Sequence, residues 1–213
     1  MRYKAILFDM DGTLLDTLTD MVDAVNHILS VHGWPLRTTE EVRAFVGNGA
    51  RRLMERAVPP EVTDGDFEAV LTEYRDWYQT HNCVATAPYP GIPALLAALA
   101  KAGIKTAVVS NKPDATTKTL AARFFPGLPA FGQRDDVPPK PAPDLVFRAL
   151  ETLGVDAADA IYVGDSEVDV ATARNAGLPL AAVSWGFRGR RALAEAGAAV
   201  IVDTAAELLE VLR

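Results

Sequence analysis

The chain has little of several things, and each shortage removes a class of function. Cys83 is the only cysteine among 213 residues, which rules out an internal disulfide framework and an all-cysteine metal site. Histidine is nearly as scarce, and His27, His32 and His81 do not share metal-ligand spacing. No apolar run approaches the length of a membrane-crossing helix, about 18 residues, so no membrane partner is expected. Positive charge is also in deficit. The 21 Lys and Arg face 28 Asp and Glu, a net of −7, which argues against nucleic acid or an anionic membrane held by bulk electrostatics. Met1-Arg2-Tyr3-Lys4 precede an apolar run too short for a secretory signal, so the expected location is the cytoplasm.

What is present is ordinary globular composition, 49% hydrophobic and 23% charged, with length for one or two domains. Ala5-Ile6-Leu7-Phe8 is an unbroken apolar run that stops at Asp9-Met10-Asp11-Gly12. Unbroken apolarity suits a strand covered on both faces, as in a parallel sheet. Similar runs recur at 106–110, 160–164, 180–184 and 199–202, separated by helical segments at 91–102, 113–124, 144–153, 166–176 and 204–212. Alternation of this kind predicts an α/β, doubly wound (Rossmann-like) parallel sheet.

Residues 16–85 break the rhythm. Leu18, Met21, Val22, Val25, Ile28 and Leu29 follow amphipathic-helix spacing, as do Phe67, Val70, Leu71, Tyr74, Trp77 and Tyr78. No strand is evident there. The expected organisation is a core of 1–15 and 86–213 carrying an inserted all-helical cap, 16–85. The insert holds twelve acidic and six basic residues. Even so, Arg43, Arg51, Arg52 and Arg56 crowd around Gly47-Asn48-Gly49.

Polar residues gather where the predicted strands end. Ligands of open α/β sheets bind beyond those ends. Asp9 and Asp11 follow the first strand; they are either turn chemistry or a repelling carboxylate pair relieved by a hard cation such as Mg²⁺. Asp165 and Asp169, in Gly164-Asp165-Ser166-Glu167-Val168-Asp169, repeat the pattern. Helix capping explains Glu167 there, but not a second strand ending in acids without basic partners. Ser110 and Asn111 end a third strand, as caps or as phosphate ligands. Lys140, in a proline-rich stretch, presents one cation on a stiff backbone, and a phosphate among carboxylates needs such a group.

In this order, the motifs resemble those of the haloacid dehalogenase superfamily of Mg²⁺-dependent phosphohydrolases. Phe8-Asp9-Met10-Asp11-Gly12-Thr13-Leu14 is similar to its first motif, Ser110-Asn111 to its second, Lys140 to its third and Gly164–Asp169 to its fourth. The helical insert resembles the family's first type of cap. Val46-Gly47-Asn48-Gly49-Ala50 and Asp16-Thr17 look most like the phosphoglycolate phosphatase branch. The resemblance implies a phosphatase that forms an aspartyl-phosphate on Asp9, with Asp11 as general acid and then base. It implies Mg²⁺ held by Asp9, the Asp11 backbone carbonyl and Asp165, with Asp169 supporting directly or through water. Ser110, Asn111 and Lys140 would bind the phosphoryl group, completed by Gly12 and Thr13. Gly47, Asn48 and Gly49, with Arg43 and Arg51, would read the leaving group, although Arg51 is also spaced to pair with Glu55.

The expected partner is a small phosphorylated metabolite, phosphoglycolate by the resemblance, and the chain a monomer or homodimer. Rival readings are a broad phosphatase for sugar phosphates, nucleotides or pyrophosphate, a β-phosphoglucomutase-like phosphotransferase, and a phospho-acceptor signalling domain.

Overall fold

A computed structural model describes residues 2–213; residue 1 lies outside that range. The chain opens with β1 (Ala5–Phe8) and β2 (Leu15–Asp16), and β2 pairs antiparallel with β3 (Ala87–Pro88). Between those two short strands lie α1 (Leu18–Val31), α2 (Thr39–Phe45), α3 (Gly49–Ala57) and α4 (Asp64–His81). The rest alternates: α5 (Ile92–Lys101), β4 (Lys105–Pro113), α6 (Asp114–Phe124), β5 (Ala130–Gln133), α7 (Asp144–Leu153), β6 (Ala160–Gly164), α8 (Glu167–Ala176), β7 (Leu180–Val183), α9 (Gly189–Glu195), β8 (Ile201–Val202) and α10 (Ala205–Leu212).

One parallel sheet runs β5-β4-β1-β6-β7-β8. Successive side chains of a strand face opposite ways, and the packing follows that period. Ile6, Phe8, Val108, Ile161 and Val163 join Ile92, Leu99, Leu120 and Leu208 on one face. Ala5, Leu7, Ala107, Val109 and Tyr162 join Leu145, Val146, Ala149 and Ala173 on the other. Helices therefore cover both faces, as the unbroken apolar runs require. Burying each of Ile6, Leu7 and Phe8 contributes about 1.5–3 kcal/mol.

α1–α4 have a hydrophobic core of their own. It is built from Met21, Val25 and Leu29 of α1, Val42, Leu53 and Met54, and the α4 stripe Phe67, Val70, Leu71, Tyr74 and Tyr78. Buried Asp20 pins the chain's return to the α/β layer, accepting from the N–H groups of Val84, Ala85 and Thr86 and from Thr86 Oγ1.

The doubly wound parallel sheet with a helical insertion is the architecture expected of the sequence. Three elements differ from expectation. The β2–β3 pair is two residues per strand, below the reach of periodicity. β5 is an edge strand that keeps a single fully buried residue, Gly132. α9 buries only Leu193. Among the described residues no helix is long and apolar enough to cross a membrane.

Candidate active site

β1 occupies the middle of the sheet, with β4 on one side and β6 on the other. The chain reverses direction of travel across the sheet here, and such a switch point opens a crevice beyond the strand ends. Asp9 and Asp165 directly follow β1 and β6, Ser110 lies in the second half of β4, and all three line one cavity along with Asp11 and Lys140. A register shift between Val109 and Pro113 carries Ser110, Asn111 and Lys112 out of regular pairing, as irregularities beside active sites often do.

Asp9 stays in the ladder through its N–H, which donates to the Val163 carbonyl at 2.8 Å. Its Oδ1 accepts from the Met10 N–H at 2.7 Å and from Lys140 Nζ at 2.9 Å. Its Oδ2 accepts no hydrogen bond from the protein's described residues. Asp165 Oδ2 accepts from the Phe187 N–H at 2.7 Å, and its Oδ1 lies 3.3 Å from Thr13 Oγ1. Asp169 closes the first turn of α8 in a capping box with Ser166. Its Oδ2 accepts from Ser166 Oγ at 2.6 Å and from the Ser166 and Asp165 N–H groups at 3.1 and 3.2 Å. Its Oδ1 takes Lys140 Nζ at 2.8 Å.

The carboxylates of Asp9, Asp165 and Asp169 each offer an oxygen within 4.8 Å of the other two, all three residues buried. Only one ammonium, Lys140, stands between Asp9 and Asp169. Burial pushes Asp9 up to about 7; Lys140 opposes that rise, and the charges of Asp169 and Asp11 reinforce it. Burial likewise holds Asp165 well above the ordinary carboxylate range, aided by Asp169 and Asp9. Lys140 is held well above its usual value because Asp169 and Asp9 outweigh burial. Three carboxylates against one cation leave an excess of negative charge that protons or a divalent cation must balance. A hard, oxygen-seeking ion such as Mg²⁺ fits this donor set. Asp169 has four committed protein donors, which fill the roughly four lone-pair sites of a carboxylate; Tyr162 OH also lies 3.3 Å away but is nearer the Val109 carbonyl. Asp9 and Asp165 are therefore the side chains with oxygens to offer, and Asp169 holds them from behind.

Asp11 turns away from this cluster. Its Oδ1 accepts from Thr17 Oγ1 at 2.8 Å and lies 3.2 Å from Lys112 Nζ. Lys112 is itself buried, donates to Tyr78 OH at 2.8 Å and sits 4.5 Å from the centre of the Tyr78 ring. Tyr78 belongs to α4, so one ammonium links a core carboxylate to the helical layer.

The cavity measures about 240 Å³, with the carboxylates at its base. Met21, Val46, Ala50, Leu53 and Tyr74 make an apolar wall above them. Two further contacts fasten that wall to the core. Arg188 donates to the carbonyls of Arg43 and Val46 and pairs with Glu167 at 2.9 Å. Asn111 Nδ2 donates to the Gly47 carbonyl at 3.1 Å.

Several residues expected to touch the phosphoryl group or the leaving group have other partners here. Asn111 uses its second amide proton on the Lys140 carbonyl and its Oδ1 on the Lys140 N–H; it shapes the lysine loop instead of presenting a free donor. The Gly12 N–H donates to the Leu15 carbonyl at 2.9 Å. Gly12 also has φ +82°, and a Cβ there would overlap the Asp165 carboxylate, which is why glycine occupies the position. Thr13 is fully buried, its hydroxyl on Asp165 and its carbonyl taken by Trp185 Nε1. Gly47 and Gly49 line the cavity, whereas Arg43, Asn48 and Arg51 do not. Asn48 Oδ1 accepts from Arg56, and Arg51 reaches Glu68 at 2.6 Å, a stronger partner than Glu55 at 3.9 Å. Sequence reasoning missed Lys112, Tyr78, Arg188 and Arg75. Lys112 directly follows Ser110-Asn111, but the other three have no motif.

Residues 6–183 match the family model for haloacid dehalogenase-like hydrolases. The chain belongs to this family. It is 37% identical over 221 residues to an N-acetylmuramic acid 6-phosphate phosphatase of Pseudomonas aeruginosa, covering all of this chain and 96% of that protein. It is 38% identical over 210 residues to a plasmid-borne phosphoglycolate phosphatase of Cupriavidus necator, covering 94% and 89% of the two chains. Among solved structures, one from Lactobacillus delbrueckii subsp. bulgaricus, designated a phosphoglycolate phosphatase by prediction, superposes with TM-score 0.94 at 37% identity. That match covers 100% of this chain and 99% of the other. This haloacid dehalogenase-like hydrolase is thus an enzyme, a phosphatase of the phosphoglycolate phosphatase-like kind.

Proposed function

We propose that the enzyme hydrolyses a small phosphomonoester through an aspartyl-phosphate on Asp9, with Mg²⁺ held by Asp9, Asp165 and the Asp11 backbone carbonyl. The observation that carries this reading is Asp9 Oδ2: a carboxylate oxygen with no hydrogen-bond partner among the described residues, in a residue that lines the cavity, while Oδ1 is fixed by Met10 and Lys140. In the first step Oδ2 attacks phosphorus, the Oδ2–P bond forms, the P–O bond to the leaving group breaks, and Asp11 protonates the departing oxygen. In the second, water attacks phosphorus, gives its proton to Asp11, and Asp9 is released with inorganic phosphate. Mg²⁺ bound at this cluster supplies charge neutralisation for the phosphoryl oxygens. Ser110 and Lys140 bind the same oxygens. Lys112 positions Asp11, anchored through Tyr78, and residues 16–85 act as the cap that excludes water.

Two substrates merit comparison because relatives act on them. A cavity of about 150 Å³ holds a benzene ring, or about 25 Å³ per non-hydrogen atom. On that scale 240 Å³ accommodates about ten such atoms. Phosphoglycolate has about nine and N-acetylmuramate 6-phosphate roughly two dozen, so this open cavity can hold the smaller compound whole and would leave most of a sugar at its mouth. Both compounds carry a carboxylate on the leaving group. Phosphate release from both, with Mg²⁺ and with chelator, tests the reading. We expect metal-dependent turnover and higher kcat/KM for phosphoglycolate; activity unaffected by chelator would contradict the metal assignment.

A further inference from the structure

Four cations line the cavity: Lys112, Lys140, Arg188 and Arg75. Three are engaged. Lys140 serves Asp9 and Asp169, Lys112 serves Asp11 and Tyr78, and Arg188 serves Glu167 and two carbonyls. Among the described residues Arg75 has no acid within 4 Å, and its side chain makes no hydrogen bond.

Its placement follows from α4. Phe67, Val70, Leu71, Tyr74 and Tyr78 bury one stripe of that helix in the cap core. Arg75 and Gln79 lie four apart beside the stripe and line the cavity next to Tyr74 and Tyr78, the spacing that puts two side chains on one face. The Gln79 side chain likewise has no hydrogen-bond partner among the described residues, and both side chains are exposed at the rim of the cavity. An otherwise apolar wall of Met21, Val46, Ala50 and Leu53 thus carries one free guanidinium and one free carboxamide. Both belong to the helix that also contacts Lys112.

We propose that Arg75, assisted by Gln79, is the receptor for a carboxylate on the leaving group, so that the substrate class is phosphomonoesters of hydroxy acids. This rests on the phosphomonoesterase reading above. A guanidinium meets a carboxylate through two parallel N–H donors. In an acidic insert, one unpaired cation at the cavity also selects against neutral alcohols of similar size. The catalytic carboxylates repel a second anion elsewhere in the cavity, which confines the leaving-group carboxylate to this wall.

The test is a ratio measured within each enzyme preparation, so the fraction of folded protein cancels. kcat/KM is determined for phosphoglycolate and for its neutral isostere phosphoglycolamide, and for N-acetylmuramate 6-phosphate against N-acetylglucosamine 6-phosphate, which lacks the lactyl acid. Wild type should favour the acid of at least one pair by about 10-fold or more. Arg75→Gln should bring that ratio close to one, and Arg75→Lys should restore part of it. An Arg75→Gln enzyme that keeps the wild-type ratio, or a wild type without preference for either acid, would overturn the assignment of Arg75. Wild type inactive on all four compounds with Mg²⁺ would overturn the phosphomonoesterase reading, and the inference with it.

Discussion

Asp169→Asn separates a residue that builds the site from one that ligates metal. The native carboxylate is fully buried and faces only donors: Lys140 Nζ on Oδ1, with Tyr162 OH more distant at 3.3 Å, and Ser166 Oγ with two backbone N–H groups on Oδ2. An amide must place its NH₂ on one side or the other. Turned toward Oδ2 it meets two N–H donors; turned toward Oδ1 it meets an ammonium. Either orientation loses one or two hydrogen bonds that involve a charged group, each contributing about 1.5–3 kcal/mol. Relief of repulsion with Asp9 and Asp165 offsets part of that loss. A net destabilisation of about 3 kcal/mol follows, near the lower end for removing one partner of a buried ion pair. For a chain of this length that lowers Tm by about 6–12 °C. The assay is thermal unfolding in excess chelator, where metal binding contributes nothing. A Tm within about 2 °C of wild type would refute the structural role and return Asp169 to the metal.

Other consequences follow from the same geometry. Lys112→Met frees Asp11 from its ammonium, so kcat/KM for an alkyl phosphate should fall by about 10- to 100-fold. An aryl phosphate, whose leaving group needs little protonation, should lose several-fold less; equal losses on both would show that Lys112 does not act through Asp11. Tyr78→Phe should move the same two rates in the same direction by a smaller factor. The raised pKa of Asp9, about 7, and of Asp165 make the metal-free folded state bind more protons than the unfolded chain. Their contribution to stability is complete below the ordinary carboxylate range and is lost as pH rises through about 7. Mg²⁺ displaces those protons, so the Tm increase it gives should grow from pH 6 to pH 8; an increase that shrinks with pH would contradict the cluster as its site.

The sequence exposes those parts of the molecule that depend on local order. β1, β4 and β6 are apolar runs ending in polar residues, so the sheet and the strand-end positions of Asp9, Ser110 and Asp165 are legible, as is Lys140 in its proline-rich loop. The phosphatase chemistry that the resemblance of these motifs implies agrees with the family match and the phosphatase relatives. Long-range partners are not legible. Tyr78 reads as one more packing residue of an amphipathic stripe, and its contact with Lys112 spans 34 positions. Arg51 has a plausible neighbour in Glu55, but the fold of α3 against α4 supplies Glu68 at closer range. Asn111 sits where a phosphate ligand would, yet its amide is committed to Gly47 and Lys140. Arg75 has no motif at all, and only the folded cavity distinguishes it from the other arginines of the insert.

The central claim is that Asp9 attacks phosphorus. Asp9→Asn preserves size and keeps an oxygen for the Met10 N–H, so the fold should persist by circular dichroism and Tm. The decisive measurement is kcat of this variant with Mg²⁺ on a substrate that wild type hydrolyses. Loss of roughly four orders of magnitude or more is predicted, as for removal of a covalent nucleophile. A folded Asp9→Asn enzyme that turns over within about 10-fold of wild type would contradict it.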